Sequence, residues 1–482
     1  WRYLYIHTEP ILGLIKSDYL SDYDTQLEIQ RSDPNSPLYS VKTFEELQLK
    51  PEILQGVYSM GFNKPSKIQE ASLPVIINQR QNLVAQSQSG TGKTAAFTLG
   101  MLNTIEAGLQ VPQVLCICPT LELAMQVHAV VCALAKHSNI QPFLAIKDVR
   151  LPKGPLTNQL IVGTTGKVED LLKKRIIQAK FIRMLVLDEA DHMVDTRGMY
   201  GQTKAIKSLL LPTVQVLLFS ATFSIGVEKY IKEFVPEPYV SIRLKRDQLS
   251  VDKIRQFYVP CDSIQNKPLI LCDLYSYISV GQSIVFAHTV KTAEALYHRM
   301  TQEGFSVTIL TGRMESNNRF KEIDNFRQGK TKVLITTNVL ARGIDILQVS
   351  LVINYDVPLD PKQTPDPVTY LHRVGRVGRF GRSGIAITFC DSDLDVRRVQ
   401  AIAKHLERDI PELKRDDLES LDAMLRGLKD LTPLTSLSTS TLTSSPSTSL
   451  SQGTTTSQQS TSTTTSQSSI GTGEPPSTLY NR

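Results

Sequence analysis

The chain has 482 residues, a hydrophobic content of 41% and a formal net charge of +6 at pH 7. Its length predicts two folded domains with additional segments, because one hydrophobic core rarely serves so long a chain. The small positive charge excludes no class of enzyme and favours a polyanionic partner only weakly. No apolar run approaches the ~18 residues of a membrane span, and the N-terminus lacks a signal-peptide pattern. We therefore expect an intracellular soluble protein with no membrane partner.

The N-terminal extension, residues 1–42, mixes acidic, basic and polar side chains. From residue 43 onward, short apolar runs recur, each followed by a turn and an amphipathic stretch. This alternation predicts buried parallel strands connected by helices. The runs of a first domain, residues 43–243, are NLVAQS (82–87), VLCICP (114–119), LIVGTT (160–165), MLVLDEAD (184–191) and VLLFSAT (216–222).

A basic, polar stretch, RLKRDQLSVDK (243–253), interrupts the series and predicts a linker at residues 244–253. The alternation then resumes in a second domain, residues 254–428. Its apolar runs are SIVFAHT (283–289), VTILTG (307–312), KVLITTN (332–338), LVINYD (351–356) and AITFCD (386–391). The fold class is therefore α/β, with two tandem domains of parallel sheets flanked by helices. Residues 429–482 are dominated by serine and threonine, so we expect a disordered tail.

Cysteine usage indicates a reducing compartment. No CxxC pair is present, so a zinc site is not expected and the thiols are expected to be free. The six cysteines are Cys116, Cys118, Cys132, Cys261, Cys272 and Cys390.

The stretch VAQSQSGTGKTAAF (84–97) has the pattern of a phosphate-binding loop between a strand and a helix. Gly90 and Gly92 allow successive backbone N–H groups to point into one concavity. Lys93 would reach the β- and γ-phosphates, and the Thr94 hydroxyl would bind Mg²⁺. Ser87 stands where the usual pattern has its first glycine, and the alternative interpretation is an ordinary glycine-rich turn.

A second acidic element follows the strand MLVL, where nucleotide hydrolases of the phosphate-loop type place their metal-binding carboxylate. Asp188 would bind Mg²⁺ through water, and Glu189 would orient and deprotonate the attacking water. The alternative is a solvated acidic turn, which the nearby Gly-Lys-Thr makes a poor explanation. The two elements together predict ATP hydrolysis.

Nine motifs in order make residues 40–420 resemble a DEAD-box ATP-dependent RNA helicase, a family with two tandem RecA-like domains. They are GFNKPSKIQ (61–69), AQSQSGTGKT (85–94), PTLELA (119–124), TTGKVED (164–170), DEAD (188–191), SAT (220–222), VFAHT (285–289), TTNVLARGID (336–345) and HRVGRVGRFG (372–381). Serine is common in this family at the Ser87 position, so the resemblance implies an intact loop.

The resemblance also implies roles for individual residues. Gln69 would read the adenine edge, Phe62 would stack on the ring, and Arg376 and Arg379, on one helical face, would act as arginine fingers. The remaining implied ATP-site residues are Ser87, Gln88, Ser89, Gly90, Thr91, Gly92, Lys93, Thr94 and Asp345. Residues implied to couple the nucleotide to domain closure are Ser220, Thr222 and His372. Residues implied to contact the RNA backbone without base specificity are Thr120, Gly166, Thr337 and Arg342.

Three stretches narrow the resemblance: SPLYSVKTFEELQLKPEILQGVYSMGF (36–62), TTNVLARGID (336–345) and the lengthened VINYDVPLDPKQTPDPVTYLHR (352–373). They make the chain most similar, within the family, to the nuclear mRNA-export branch. That resemblance implies action on mRNA at the nuclear pore, with cytoplasmic and nuclear localisation and a monomeric state. It also implies a nucleoporin partner and an activator protein that binds with inositol hexakisphosphate. The N-terminal extension would then contain an autoinhibitory helix.

Four departures from the usual family pattern affect the expected activity. Leu121 replaces an arginine, Thr165 replaces a proline and so frees the turn that aims Gly166 at RNA, and Val377 replaces a threonine. The stretch AIKDVRLPKG (145–154) lacks the usual glycine doublet. We expect normal nucleotide binding with weaker RNA stimulation than in a typical member. The alternatives are a slowly hydrolysing adaptor held on RNA or a nucleoporin, and a DNA-directed helicase, which the DEAD sequence and the adenine-reading glutamine disfavour.

Overall fold

A computed structural model describes residues 27–31, 41–86, 91–147, 149–196, 198–244, 254–338, 349–377, 383–414 and 417–430. All of them belong to one compact unit, Trp1–Pro433. The predicted autoinhibitory helix, residues 431–482 of the predicted disordered tail (429–482) and most of the predicted linker lie outside these ranges. The first two residues of that predicted tail belong instead to a helix, Leu418–Asp430. None of the helices within them has the length and apolar character of a membrane-crossing segment.

The first lobe, residues 41–244 together with a strand from the N-terminal extension, is built on one large sheet. Among the described residues this sheet has eight strands in the order β1-β8-β2-β7-β6-β3-β5-β4. Their bounds are β1 (Leu27–Arg31), β2 (Asn82–Gln86), β3 (Val114–Cys118), β4 (Pro142–Ala145), β5 (Leu160–Thr164), β6 (Met184–Leu187), β7 (Gln215–Ser220) and β8 (Tyr239–Leu244). Every neighbouring pair is parallel except β1 and β8.

Helices cover both faces of the first sheet. They are α1 (Pro51–Ser59), α2 (Lys67–Ile77), α3 (Lys93–Thr104), α4 (Leu121–Leu134), α5 (Thr165–Lys173), α6 (Ala190–Asp195), α7 (Met199–Leu209) and α8 (Ile225–Phe234). Alternate residues of β3 enter two different cores: Cys116 and Cys118 face one, and Ile117 faces the other. Burial on both faces explains why the strands read as continuous apolar runs.

The second lobe, residues 254–430, has a six-stranded parallel sheet within the described ranges, in the order β11-β12-β10-β13-β14-β9. Its strands are β9 (Ile254–Pro260), β10 (Gln282–Phe286), β11 (Val307–Leu310), β12 (Val333–Thr336), β13 (Val349–Asn354) and β14 (Gly384–Cys390). Its helices are α9 (Lys267–Tyr277), α10 (Val290–Gln302), α11 (Ser316–Arg327), α12 (Pro367–Val374), α13 (Asp393–His405) and α14 (Leu418–Asp430). All six cysteines of the chain are free, as predicted.

The structure confirms the predicted α/β class, with two parallel sheets flanked by helices. One part of the extension differs from the prediction: β1 pairs antiparallel with β8, from Leu27 opposite Leu244 to Arg31 opposite Val240. This pairing satisfies the backbone groups of a strand that would otherwise form a bare sheet edge. The four strands that the sequence did not predict, β1, β4, β8 and β9, lie at or next to sheet edges. Polar or charged residues interrupt β1, β8 and β9, and β4 is only four residues long.

Candidate nucleotide and RNA site

The motifs converge because the strands that precede them are parallel neighbours. The order β2-β7-β6-β3-β5 places the carboxyl ends of these strands along one edge of the first sheet. The phosphate loop follows β2, Ser220 ends β7, Asp188 follows β6, Thr120 follows β3, and Gly166 follows β5. Ligands of open α/β sheets bind outside this edge.

The phosphate loop is described from Thr91 onward; Ser87, Gln88, Ser89 and Gly90 lie outside the described residues. Gly92 has φ 98°, a conformation that glycine adopts without strain, and an added Cβ would lie 2.7 Å from Nε2 of Gln69. The Gln69 carboxamide accepts a hydrogen bond from the Ser66 N–H at 2.9 Å and donates one to the Gly92 carbonyl at 3.1 Å. One amino hydrogen and one carbonyl lone pair of Gln69 are then left for a ligand.

Phe62, which was predicted to stack on adenine, is buried in this structure. Its side chain is 1% exposed and lies in the hydrophobic core of the first lobe. The ring anchors the segment that precedes α2. Gln69 is equally buried at 1% exposure. The stacking of Phe62 on adenine stays a prediction.

Lys93 and Thr94 form the first turn of α3, close to the carboxylate that follows β6. Lys93 and Asp188 are both buried. Burial raises the pKa of Asp188 to about 7; the Lys93 ammonium opposes this shift, whereas the Glu189 carboxylate adds to it. A buried carboxylate under the influence of a lysine ammonium, with Thr94 next to that lysine in sequence, fits a magnesium–phosphate group.

Glu189 is held in a strained position. Its backbone is left-handed, with φ 54° and ψ 53°, and its N–H donates to Oδ1 of Asp188 at 3.0 Å. The buried carboxylate oxygen Oε2 has no hydrogen-bond partner among the described residues. Backbone strain and an unpaired buried acceptor occur together at functional sites, where a ligand satisfies the acceptor.

Asp191 joins the two lobes and was not among the predicted site residues. Its Oδ2 accepts hydrogen bonds from the Thr222 N–H at 3.2 Å and the Thr222 hydroxyl at 2.8 Å. The same oxygen lies 3.1 Å from Nε2 of His372, which belongs to the second lobe. The Ser220 hydroxyl accepts from the Asp191 N–H at 3.3 Å. The three predicted coupling residues therefore meet at one buried residue: Thr222 and His372 at the Asp191 carboxylate, and Ser220 at its backbone N–H. The position of Asp191 as the last residue of the DEAD motif was the available signal.

A second contact between the lobes lies at PTLELA. The Glu122 carboxylate of α4 forms an ion pair with the Arg319 guanidinium of α11, and both side chains are buried or nearly so. Burial raises the pKa of Glu122, and Arg319 opposes that shift. Phe320 of α11 packs against the core of the first lobe. No sequence pattern signals this pair, because the partners lie almost 200 residues apart.

The arginines of HRVGRVGR differ in role. Helix α12 ends at Val374 because Gly375 follows, and glycine disfavours helix continuation. The expectation that Arg376 lies on a helical face was therefore wrong. Arg376 is buried, and its Nε donates to the His372 carbonyl at 3.0 Å. Arg373 is fully buried and bonds Asn338, Asn354 and the Asp356 carbonyl. Burial lowers the pKa of Arg373 to about 10. Arg379 lies outside the described residues.

The predicted RNA-contacting residues are only partly described. Thr120 caps α4 by accepting from the Leu123 N–H at 3.3 Å, and Thr337 is buried just after β12. Gly166 lies in the first turn of α5. Arg342, together with Asp345 of the predicted ATP site, lies outside the described residues.

Two of the departures from the family pattern have structural explanations. The expectation that Thr165 frees the turn before Gly166 was wrong, since Thr165 is buried and its hydroxyl donates to Oε1 of Gln202 at 2.7 Å. The hydroxyl thus supplies a tether where a proline ring would supply stiffness. Val377 is buried in a core of the second lobe.

Comparisons with known proteins agree with this geometry. The DEAD/DEAH box helicase model matches residues 66–230, and the helicase conserved C-terminal domain model matches residues 266–381. The chain is 56% identical over 423 residues to the ATP-dependent RNA helicase ddx19 of Dictyostelium discoideum, which covers 87% of this chain and 91% of that relative. The chain belongs to the DEAD-box helicase family. Membership makes it an ATP-dependent RNA helicase.

Two solved structures support the assignment to the DEAD-box family. S. cerevisiae Dbp5 bound to RNA and ADP BeF3 has a TM-score of 0.77 and 42% identity, covering 80% of this chain and all of that one. A point variant of S. cerevisiae Dbp5, bound to Nup159, a point variant of Gle1, IP6 and ADP, has a TM-score of 0.57 and 40% identity. That match covers 79% of this chain and all of the Dbp5 chain.

Proposed function

We propose that this helicase closes its two lobes around ATP and RNA, remodels RNA–protein complexes or unwinds short duplexes, and acts in mRNA export. The observation that carries the proposal is the Asp191 carboxylate. It follows the candidate catalytic pair in sequence, binds Thr222 in the first lobe and lies in hydrogen-bond contact with His372 of the second lobe. A change at the nucleotide is therefore transmitted to lobe closure through two hydrogen-bonded steps.

In this proposal the first lobe supplies the hydrolytic groups. Gln69 reads adenine, and Lys93 binds the phosphates of ATP. Thr94 and Asp188 would hold Mg²⁺, which when bound neutralises phosphate charge. The unpaired Oε2 of Glu189 accepts a hydrogen bond from the attacking water and takes its proton.

The second lobe supplies positive charge to the reaction. Arg376 and Arg379 would approach the γ-phosphate only when the lobes are closed, and such arginines contribute roughly 10³–10⁵ in rate. The Asp191–His372 and Glu122–Arg319 contacts stabilise the closed arrangement. RNA that binds both lobes would favour the same arrangement, so RNA would stimulate hydrolysis.

Partners are proposed from the yeast relative. Because Dbp5 structures contain RNA, Nup159, Gle1 and IP6, we propose that this chain binds mRNA, a nucleoporin and an activator protein with inositol hexakisphosphate. It would work as a monomer at the nuclear pore and be present in the cytoplasm and nucleus. RNA would be held by its backbone, without base specificity, through Thr120, Gly166, Thr337 and Arg342.

The catalytic proposal is tested by ATP turnover with and without single-stranded RNA at two salt concentrations. We expect RNA to stimulate the natural protein, less strongly than in a typical family member, with weaker RNA binding at high salt. Lys93→Ala should abolish nucleotide binding. Glu189→Gln should keep nucleotide binding and lower turnover about 10²–10⁴-fold. Lys136→Ala, an exposed lysine of the same lobe, serves as the control.

Slow turnover that RNA does not change would contradict the helicase mechanism and favour the adaptor. Equal turnover in Glu189→Gln and the natural protein would contradict the catalytic assignment. The export proposal is tested by replacing the native gene with the Glu189→Gln allele and imaging polyadenylated RNA. Accumulation in the nucleus is expected, and an unchanged distribution argues against a role in export.

A further inference from the structure

The carboxamide of Gln202, on α7, is fixed beside the turn that carries Gly166. The buried Thr165 hydroxyl donates to Gln202 Oε1 at 2.7 Å, which orients the carboxamide so that its nitrogen lies on the other side. A threonine hydroxyl can make this bond, whereas the proline usual at this position in the family has no donor. The tether is therefore a property of this chain's departure from the family pattern.

The Gln202 amino group has unused donors next to Gly166. A Cβ added to Gly166 would lie 3.4 Å from Gln202 Nε2, so the nitrogen and the glycine are immediate neighbours. Within the described ranges, Nε2 has no hydrogen-bond partner, although Gln202 is half-buried. Its two N–H groups can donate to the acceptors that an RNA backbone carries, which are phosphate oxygens and the 2′-hydroxyl.

We propose that Gln202 is an additional RNA-binding residue that donates to the ribose–phosphate backbone beside Gly166, and that Thr165 is the positioning residue that orients it. The inference rests on the proposed RNA contact at Gly166. A donor oriented before RNA arrives loses little conformational freedom on binding. Thr165 and Gln202 together would thus restore part of the RNA affinity that loss of the proline removes.

Three variants separate RNA binding from a purely structural role. Gln202→Glu keeps an acceptor for the Thr165 hydroxyl but removes the donor and adds a negative charge near RNA. Gln202→Met removes both hydrogen-bonding functions at similar size. Thr165→Val removes the hydroxyl while keeping the side-chain shape. Gln141→Glu adds the same charge just before the amino end of β4, whereas Gly166 follows the carboxyl end of β5, and is the matched control.

The measurement is the dissociation constant of a fluorescent oligouridylate with a nonhydrolysable ATP analogue present, at fixed salt. We expect Gln202→Met to weaken RNA binding about three- to tenfold, the effect of losing one hydrogen bond, and Gln202→Glu to weaken it by at least tenfold. Thr165→Val should weaken it a few-fold alone and add nothing to Gln202→Met. Gln141→Glu should bind RNA as the natural protein does.

Binding of the ATP analogue without RNA should be unchanged in every variant. Natural RNA affinity in Gln202→Glu would overturn the proposal, because that variant preserves the Thr165 hydrogen bond while it removes the donor and adds a negative charge beside the proposed RNA contact. Additive losses in Thr165→Val and Gln202→Met would overturn the positioning role. If the natural protein itself binds no RNA, the proposed helicase function fails. This outcome is seen without any variant and so is distinct from failure of the Gln202 proposal.

Discussion

The ion pair between Glu122 and Arg319 allows a quantitative test of lobe closure. Glu122 belongs to the first lobe and Arg319 to the second, and their side chains are 2% and 12% exposed in this structure, whose contacts the proposal assigns to the closed arrangement. Separation of the lobes would return both charges to water. Removal of one partner therefore penalises the closed arrangement, in which the other charge stays buried, and leaves the open one nearly unaffected.

The expected size follows from burial. Removing one partner of a fully buried pair costs about 3–5 kcal/mol, and the partial exposure of Arg319 reduces this to about 2–3 kcal/mol. At 1.4 kcal/mol per factor of ten, closure becomes about 30- to 150-fold less favourable. Arg319→Met and Glu122→Gln are the single changes, and both together remove the pair without leaving a buried charge.

The assay is ATP turnover as a function of RNA concentration, together with fluorescence energy transfer between dyes on the two lobes. Arg319→Met should lower RNA-stimulated turnover 30- to 150-fold and lower the closed population, with little change in analogue binding without RNA. The double variant should recover part of the loss. If the two single losses multiply in the double variant, or if Arg319→Met is as active as the natural protein, the pair does not stabilise closure.

Two further predictions concern the first lobe. Gly92→Ala should weaken ATP-analogue binding at least tenfold, because the new methyl group would lie 2.7 Å from Gln69 on a left-handed backbone. Gly108→Ala, which has open space around it, should bind the analogue normally. Equal affinities of the two variants for the analogue would refute the argument. Burial lowers the pKa of His128 from 6.5 to about 4. Below pH 6.5 the unfolded chain therefore binds more protons at this residue than the folded chain does, and the free energy of unfolding decreases as the pH decreases. His128 should therefore reduce the free energy of unfolding by about 2 kcal/mol between pH 7 and pH 5. Chemical denaturation at the two pH values should show this reduction in the natural protein and in His137→Met, whose histidine is exposed, but not in His128→Met.

The sequence determined the features that each segment carries by itself. Apolar runs predicted ten of the fourteen described strands, because burial on two faces leaves little place for polar residues. The phosphate loop and the DEAD stretch predicted their own surroundings because parallel strands bring their carboxyl ends to one edge. The free state of the six thiols also followed from spacing alone.

Tertiary structure decided which distant residues meet. Pairing of β1 with β8, the ion pair of Glu122 with Arg319 and the contact of Asp191 with His372 each join segments that are far apart in sequence. The direction of Phe62 and the tether between Thr165 and Gln202 likewise depend on which elements pack alongside. Local patterns report a residue's own conformational and solvation preferences, whereas a partner is selected by the packing of the whole fold, which no single stretch contains.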